Sequence, residues 1–139
     1  MEVQVNYLAV VLAMLSSLVV GSIWYAQKVF GNTWAKLAKI DMSKDRGSVF
    51  KPIATTIVVS LITAYVLAHV AYLSNHFFEN SFLQDSLMTA FWMWLGFTAA
   101  RFITHDVFEG RPVKLTVLNI GNEFVTIMIM GLVIGLFGV

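Results

Sequence analysis

Residues Pro112 to Phe137 read PVKLTVLNIGNEFVTIMIMGLVIGLF, and this stretch decides the fold. It is long and apolar enough for one helix across a bilayer, which takes about 20 residues. It also carries Asn119, Asn122 and Glu123 well inside the run. An ionisable group at the centre of such a helix costs about 2.5–3.5 kcal/mol on insertion scales and faces protein or water rather than lipid. We therefore expect further helices around this one, with partners for Glu123.

The composition as a whole is that of a membrane protein. The chain has 139 residues, 58% of them hydrophobic and 12% charged, and its mean hydropathy is +0.78. A soluble domain is about half apolar and a quarter charged. Cysteine is absent, which excludes disulfides and thiolate metal sites. We expect a single transmembrane domain over residues 1–139, and the net charge of +1 predicts no nucleic-acid partner.

Four apolar runs predict an all-α, polytopic membrane protein with four transmembrane helices. The expected spans cover about residues 6–25, 52–73, 83–103 and 113–137. Each run has the length of one helix across a bilayer. The connection between the third and fourth spans is short enough to require a tight turn, so these helices are expected to be antiparallel neighbours. The first and second spans form the other helical hairpin.

The basic residues predict the side of the membrane on which each connection lies. Residues 27–51 hold six of the nine Lys and Arg residues, whereas the N-terminal tail and the connection after the second span hold none. Cytoplasmic loops carry such an excess of Lys and Arg. We expect a multi-pass protein of the cell (inner) membrane, with the N-terminus and the C-terminus both outside.

The same basic connection also carries a pattern of apolar side chains. Phe30, Trp34 and Leu37 recur at helical spacing beside two lysines. Basic amphipathic helices lie in the plane of the membrane interface. We expect a short interfacial helix over residues 33–40 in this first cytoplasmic loop, with Asn32 as its N-cap.

Small side chains recur every fourth residue along three of the spans. They are Ala9, Ala13, Ser17 and Gly21 in the first span, Thr56, Ser60, Ala64 and Ala68 in the second, and Gly131 and Gly135 in the fourth. Small residues let helices approach closely inside a membrane. So many stripes leave packing surface beyond what one bundle uses internally, which predicts a homo-oligomer.

The third and fourth spans each carry a polar face. The third has Trp94, Thr98, Arg101 and His105 at i, i+4, i+7 and i+11, and the fourth has Asn119, Asn122, Glu123 and Thr126 at i, i+3, i+4 and i+7. The tight turn between the spans brings the two faces together. The candidate site for a proton or a small solute therefore consists of Glu123, Arg101, Asn119, Asn122, Trp94, Thr98 and His105.

Arg101 and Glu123 are expected to approach each other across this hairpin. Helical side chains lean toward the N-terminus of their own helix, and in antiparallel helices this closes the gap between the two groups. We expect an ion pair, with the two amides satisfying the remaining donors and acceptors. In the alternative, Arg101 snorkels to lipid phosphate and Glu123 is protonated and hydrogen-bonded to the amides alone.

Two functions compete for this polar cluster. One is a transport or channel role for a small solute or protons within the lipid bilayer. The alternative is a structural or scaffolding membrane subunit in which the cluster only fixes helix packing. No Ser/His/Asp arrangement, phosphate loop or metal-ligand spacing is visible, so we expect no enzyme, no catalytic residue, no cofactor and no metal. Nothing in the sequence identifies a solute.

Five short motifs carry a resemblance to a known family. They are Asn6-Tyr7-Leu8-Ala9-Val10, Gly21-x-x-Trp24-Tyr25, Phe30-Gly31-x-x-Trp34, Phe108-Glu109-Gly110-Arg111-Pro112 and Asn119-x-Gly121. The chain resembles a bacterial family of four-span membrane proteins known only as a domain of unknown function. The resemblance implies a four-span architecture and no particular activity. The chain has Asn122-Glu123 where that family tends to have an aromatic residue followed by histidine.

Overall fold

A computed structural model of the chain describes residues 2–43 and 49–139. Within these residues every element is helical and no strand is present, which confirms the all-α prediction. The elements are α1 (Tyr7–Trp24), a first π-helical turn (Gln27–Gly31), α2 (Asn32–Leu37), α3 (Phe50–Phe78), α4 (Phe82–Met93), a second π-helical turn (Trp94–Ala99), α5 (Ala100–Phe108) and α6 (Val113–Phe137). Lys44 and Arg46, two of the basic residues used to orient the chain, lie outside the described residues.

Three of these helices, α1, α3 and α6, are long and apolar enough to cross a membrane. The chain is therefore a membrane protein, as its composition predicts. The expected third span falls on α4, the second π-helical turn and α5, which follow one another without interruption over residues 82–108. Each of these three pieces alone is too short for a crossing of about 20 residues.

The long helices pack so that neighbours in sequence are neighbours in space. Helix α6 packs against α1 and α4, and helix α3 packs against the same two. We call the end of the bundle where α1 and α5 end and α3 and α6 begin the loop end. The opposite end is the tail end. There the side chain of Asn6 donates a hydrogen bond to the carbonyl of Phe137, at 3.5 Å.

The buried core lies in the half of the bundle nearer the tail end. It consists of Val10, Ala13, Ala64, Leu67, Ala68, Ala90, Ile127, Met130 and Ile134. Small residues allow this close contact, because a Cβ placed on Gly131 would lie 2.9 Å from the Cβ of Ala90 and one on Gly135 would lie 2.8 Å from the Cα of Leu83. The glycine pair and most of the other small residues of the stripes are therefore used inside one chain.

At the tail end, α3 is joined to α4 by a turn with a buried carboxylate. Helix α3 runs to Phe78, five residues beyond the expected end of the second span, and stops where Glu79 takes a left-handed conformation with φ 56°. Asp85 is 2% exposed and accepts hydrogen bonds from the amides of Asn75 at 2.8 Å and Asn80 at 3.0 Å. The two amides satisfy both carboxylate oxygens, so this buried acid is fully hydrogen-bonded.

At the loop end, α2 differs from the expected interfacial helix in how it begins. The first π-helical turn runs directly into α2, and Asn32 is a helical residue whose side chain makes no capping hydrogen bond. The prediction of an Asn32 cap is wrong because Gly31, the residue before it, already has helical φ and ψ. Gly31 is required here, since a Cβ would lie 2.3 Å from the carbonyl oxygen of Tyr25.

Candidate functional site

An open cleft of about 530 Å³ lies toward the loop end, between α3, α5 and α6. We call it the loop-end cleft. It is lined by Val59, Phe97, Thr98, Arg101, Phe102, His105, Asp106, Glu109, Arg111 and Glu123. It exists because α3 packs closely against α4 but makes no comparable contact with α5. The helices diverge, and the space between them is open.

Four of the seven residues expected in the candidate site line this cleft. Thr98 comes from the second π-helical turn, Arg101 and His105 come from α5, and Glu123 comes from α6. The tight turn predicted between the third and fourth spans brings them together. It is closed by Gly110, with φ 66°, and by a backbone hydrogen bond of 2.9 Å from Arg111 to the carbonyl of Asp106. This glycine conformation and this hydrogen bond belong to the helix end known as a Schellman motif.

One group of polar side chains in the cleft is satisfied within the protein. Asp106 is 5% exposed and accepts a hydrogen bond of 2.6 Å from the hydroxyl of Thr116, which ties α5 to α6. Arg111 forms ion pairs with Asp106, at 3.7 Å, and with Glu109. Within residues 2–43 and 49–139 no three His, Asp or Glu side chains lie where they could share a metal ion.

A second group in the same cleft has no partner among the described residues. No hydrogen bond or ion pair from the side chains of Arg101, His105 or Glu123 to any described residue is present. The expected ion pair between Arg101 and Glu123 is absent, since no nitrogen and oxygen of the two approach within 4.0 Å. Arg101 is exposed and Glu123 is half-buried, so a basic and an acidic side chain face one cleft without direct contact.

Trp94 does not lie in the cleft, although the sequence places it on the same face as Thr98. Its indole N–H donates a hydrogen bond of 2.9 Å to the carbonyl of Ile120, and its ring packs edge-on against Phe124 at 4.8 Å. The π-helical turn explains the difference. Its wider turn changes the angle between side chains four residues apart from that of an α-helix, so the α-helical spacing does not apply to Trp94 and Thr98.

The two asparagines of the candidate site also lie outside the cleft lining. Asn119 accepts a hydrogen bond of 3.2 Å from the hydroxyl of Tyr25 and so joins α6 to the end of α1. Asn122 is 6% exposed, and its amide nitrogen has no hydrogen-bond partner in the described part of the chain. Neither amide hydrogen-bonds to Glu123, so the expected support of the carboxylate by these amides is wrong.

Six of the ten residues that line the cleft were not among the expected site residues, and two of them are informative. Asp106 was not expected in the site, yet it is buried and accepts a hydrogen bond from Thr116. Asp106 follows Phe102 by four residues, which places both on one face of the helix, and this spacing was the signal that the sequence offered. Phe97 lines both this cleft and a second pocket of about 490 Å³ between α3 and α4, which also contains Trp92 and the buried Asp85. Only the helix packing reveals that connection.

Comparison with known proteins places the chain in an uncharacterised group. A family model described as "Protein of unknown function (DUF1761)" matches residues 8–135. No curated protein and no solved structure matches the chain. The resemblance to a family of unknown function is confirmed, and any function must be argued from the residues of this chain.

Proposed function

We propose a function from the premise that this chain belongs to the family of proteins of unknown function DUF1761, whose model covers nearly all of it. The protein binds a small solute in the loop-end cleft and moves it across the membrane, with Glu123 as the acid that exchanges a proton during transport. One observation carries the proposal. Arg101, His105 and Glu123 line a single cleft and make no hydrogen bond or ion pair with any described residue.

The chemistry of the cleft supports binding rather than packing alone. A polar cluster that only fixed helix packing would be hydrogen-bonded internally, as Asp106 and Thr116 are. Buried and half-buried polar groups are normally paired, and those without a partner in the protein are candidates for contacts with a ligand. Ionisable residues within a membrane are rare, and they commonly mark ion or substrate pathways.

The proposal includes four membrane crossings. Residues 82–108 form the third crossing, because their three helical pieces are continuous and together span roughly 40 Å at 1.5 Å per residue. From residue 86 to residue 100 this stretch contains no charged side chain. Its π-helical turn lies beside the cleft, and such turns inside helices are frequent at functional sites.

The proposal also includes an orientation in the cell membrane. Six of the seven Lys and Arg residues in the described part of the chain lie in the connections and helix ends of the loop end, and Arg101 lies about two turns from that end. By the positive-inside rule, that end faces the cytoplasm and both termini lie outside. Helix α2 then lies at the inner interface, where the ring of Trp34 packs edge-on against that of Tyr25 at 5.4 Å. The loop-end cleft would open near the cytoplasmic side.

The test is proton-coupled flux in vesicles reconstituted with the purified protein. A pH-sensitive dye inside the vesicles records proton movement when ethidium or phenylalanine is added outside. We expect Glu123→Gln to abolish the solute-dependent signal, because the amide is nearly the same size but cannot exchange a proton. Thermal unfolding of the same preparations shows whether the variant is folded.

The matched control is Glu79→Gln, which makes the same chemical change at the exposed tail-end turn. It should leave flux at the wild-type level. Equal flux in wild-type and Glu123→Gln vesicles would remove the role assigned to this carboxylate. A loss of flux in Glu79→Gln as large as that in Glu123→Gln would show that the effect is not specific to the cleft.

Association of several copies stays a prediction, but the stripes of small residues no longer support it. The stripes of small residues from which an oligomer was predicted include Ala9, Ala13, Ala64, Ala68 and Gly131, which are buried within a single chain. They therefore no longer argue for contacts between copies.

The structural alternative is favoured for Asp85 and Asp106, whose hydrogen bonds stabilise the two turns of the bundle.

A further inference from the structure

We propose that the solute of the loop-end cleft is a small zwitterion with an apolar side chain, an amino acid of the phenylalanine class. This inference rests on the proposed solute-binding function and names its substrate class. The cleft presents one unpartnered cation, Arg101, and one unpartnered anion, Glu123, which lie further than 4.0 Å apart. A carboxylate on the solute would bind Arg101, and its ammonium group would bind Glu123.

The balance of charge in the cleft favours a solute with both signs. Arg111 pairs with both Asp106 and Glu109, so these three groups are engaged with one another, although together they leave one net negative charge. A solute with only a positive charge would satisfy Glu123 but place a second cation near Arg101. A solute with only a negative charge would do the reverse. Like-charge contacts cost free energy, and a zwitterion avoids both.

The remaining lining of the cleft suits an apolar side chain. Phe97 and Phe102 from one side and Val59 from α3 present hydrocarbon surface beside the charged groups. Binding sites for small molecules are mostly apolar with a few well-placed polar groups, and they enclose about 300–1,000 Å³. The cleft volume of about 530 Å³ lies within that range and accommodates an aromatic amino acid.

Two further polar groups could contact the solute without adding a fixed charge. Thr98 and His105 lie on the same face as Arg101, one turn before it and one turn after it. A hydroxyl and a neutral imidazole each offer both a donor and an acceptor. They therefore supply hydrogen bonds to either end of a zwitterion. The fixed charges of the site remain those of Arg101 and Glu123.

The test compares three ligands that differ by one charged group each. Phenylalanine has both charges, phenethylamine lacks the carboxylate and phenylpropionate lacks the amine. Calorimetry on the purified protein in detergent measures each dissociation constant. We expect both analogues to bind about tenfold to a hundredfold more weakly than phenylalanine, since each loses a hydrogen bond between charged groups.

Two variants test which side chain contacts the carboxylate of the solute and which contacts its ammonium group. Arg101→Gln should weaken binding of phenylalanine but not that of phenethylamine, whose ammonium group then no longer faces a second cation. Glu123→Gln should weaken binding of phenylalanine but not that of phenylpropionate, whose carboxylate then no longer faces a second anion. Binding of the retained analogue shows that each variant is folded. A wild-type protein that binds phenethylamine as tightly as phenylalanine would overturn the inference, as would a protein that binds none of the three ligands.

The same chemistry occurs in the headgroup of phosphatidylethanolamine, which carries a phosphate beside a primary ammonium group. Binding is therefore repeated in nanodiscs of phosphatidylethanolamine and of phosphatidylglycerol. Unchanged phenylalanine binding in both supports a soluble zwitterion, and loss in phosphatidylethanolamine alone would overturn the amino acid in favour of the lipid headgroup. Flux of ethidium that depends on Glu123, without phenylalanine binding, would leave the transport proposal standing and refute this inference alone.

Discussion

Arg101 and Glu123 share a cleft without touching, and this decides how their loss should affect stability. Removing one partner of a buried ion pair costs about 3–5 kcal/mol, because the other charge is left uncompensated. Here no direct contact is lost in either single substitution. We expect the effects of Arg101→Leu and Glu123→Leu on the free energy of unfolding to add in the double variant, within about 0.5 kcal/mol.

The measurement is a double-mutant cycle by thermal unfolding in detergent, without added solute. An interaction energy of several kcal/mol would show that the two side chains form an ion pair after all. Repeating the cycle with saturating phenylalanine provides a control with a distinct expectation. A ligand that contacts both side chains couples them, so the effects should then cease to add.

At the level of single residues, the sequence predicted part of the candidate site correctly. Thr98, Arg101 and His105 repeat at helical spacing, and the short turn that follows brings them to the face of Glu123. Asn119 accepts a hydrogen bond from Tyr25, and Asn122 is buried. The spacing of residues in the sequence predicts neither. Trp94 was misplaced because no simple sequence signal marks a π-helical turn.

Among the elements, the contact between α4 and α6 depends most on the absence of side chains. A Cβ on Gly131 would lie 2.9 Å from the Cβ of Ala90 and 3.1 Å from the carbonyl oxygen of Ser86. We expect Gly131→Ala to destabilise the protein by about 1–3 kcal/mol, the usual cost of overpacking a close contact. Thermal unfolding in detergent should show a lower midpoint.

The matched control for this contact is Gly21→Ala in α1. No atom lies within 4 Å of a Cβ built on Gly21, and its conformation is helical. Alanine is favoured over glycine in a helix by about 0.5–1 kcal/mol, so this variant should be neutral or slightly more stable. Equal midpoints for the two variants would contradict the close packing of α4 on α6.

The lengths of the elements were less predictable than their existence. Helix α6 covers residues 113–137, as its apolar run indicates. Helix α3 exceeds its expected span because the amide of Asn75, beyond the apolar run, hydrogen-bonds to Asp85 on the next helix. This contact joins residues on two helices, and the hydropathy of either segment gives no sign of it.

For the whole molecule, the proposed orientation makes four positions testable. Reporter fusions after Glu2, within residues 36–46, after Glu79 and after Val139 should read outside, inside, outside and outside. The physical reason is the excess of Lys and Arg residues in residues 27–51, which hold six of the nine. A cytoplasmic signal at Glu79 would contradict the four-span model. Signals on opposite sides at Glu79 and Val139 would rule out the third crossing by residues 82–108.

The glycines and alanines near the tail end have a mechanical effect on the opposite half of the molecule. They draw α4 onto α6, while the bulky rings of Trp94 and Phe124 stand between the same two helices further along. Because α4, the second π-helical turn and α5 are continuous, this packing also positions the α5 side chains that line the cleft. Under the proposed function, natural variation in solute preference should be sought in this remote packing as well as in the cleft lining.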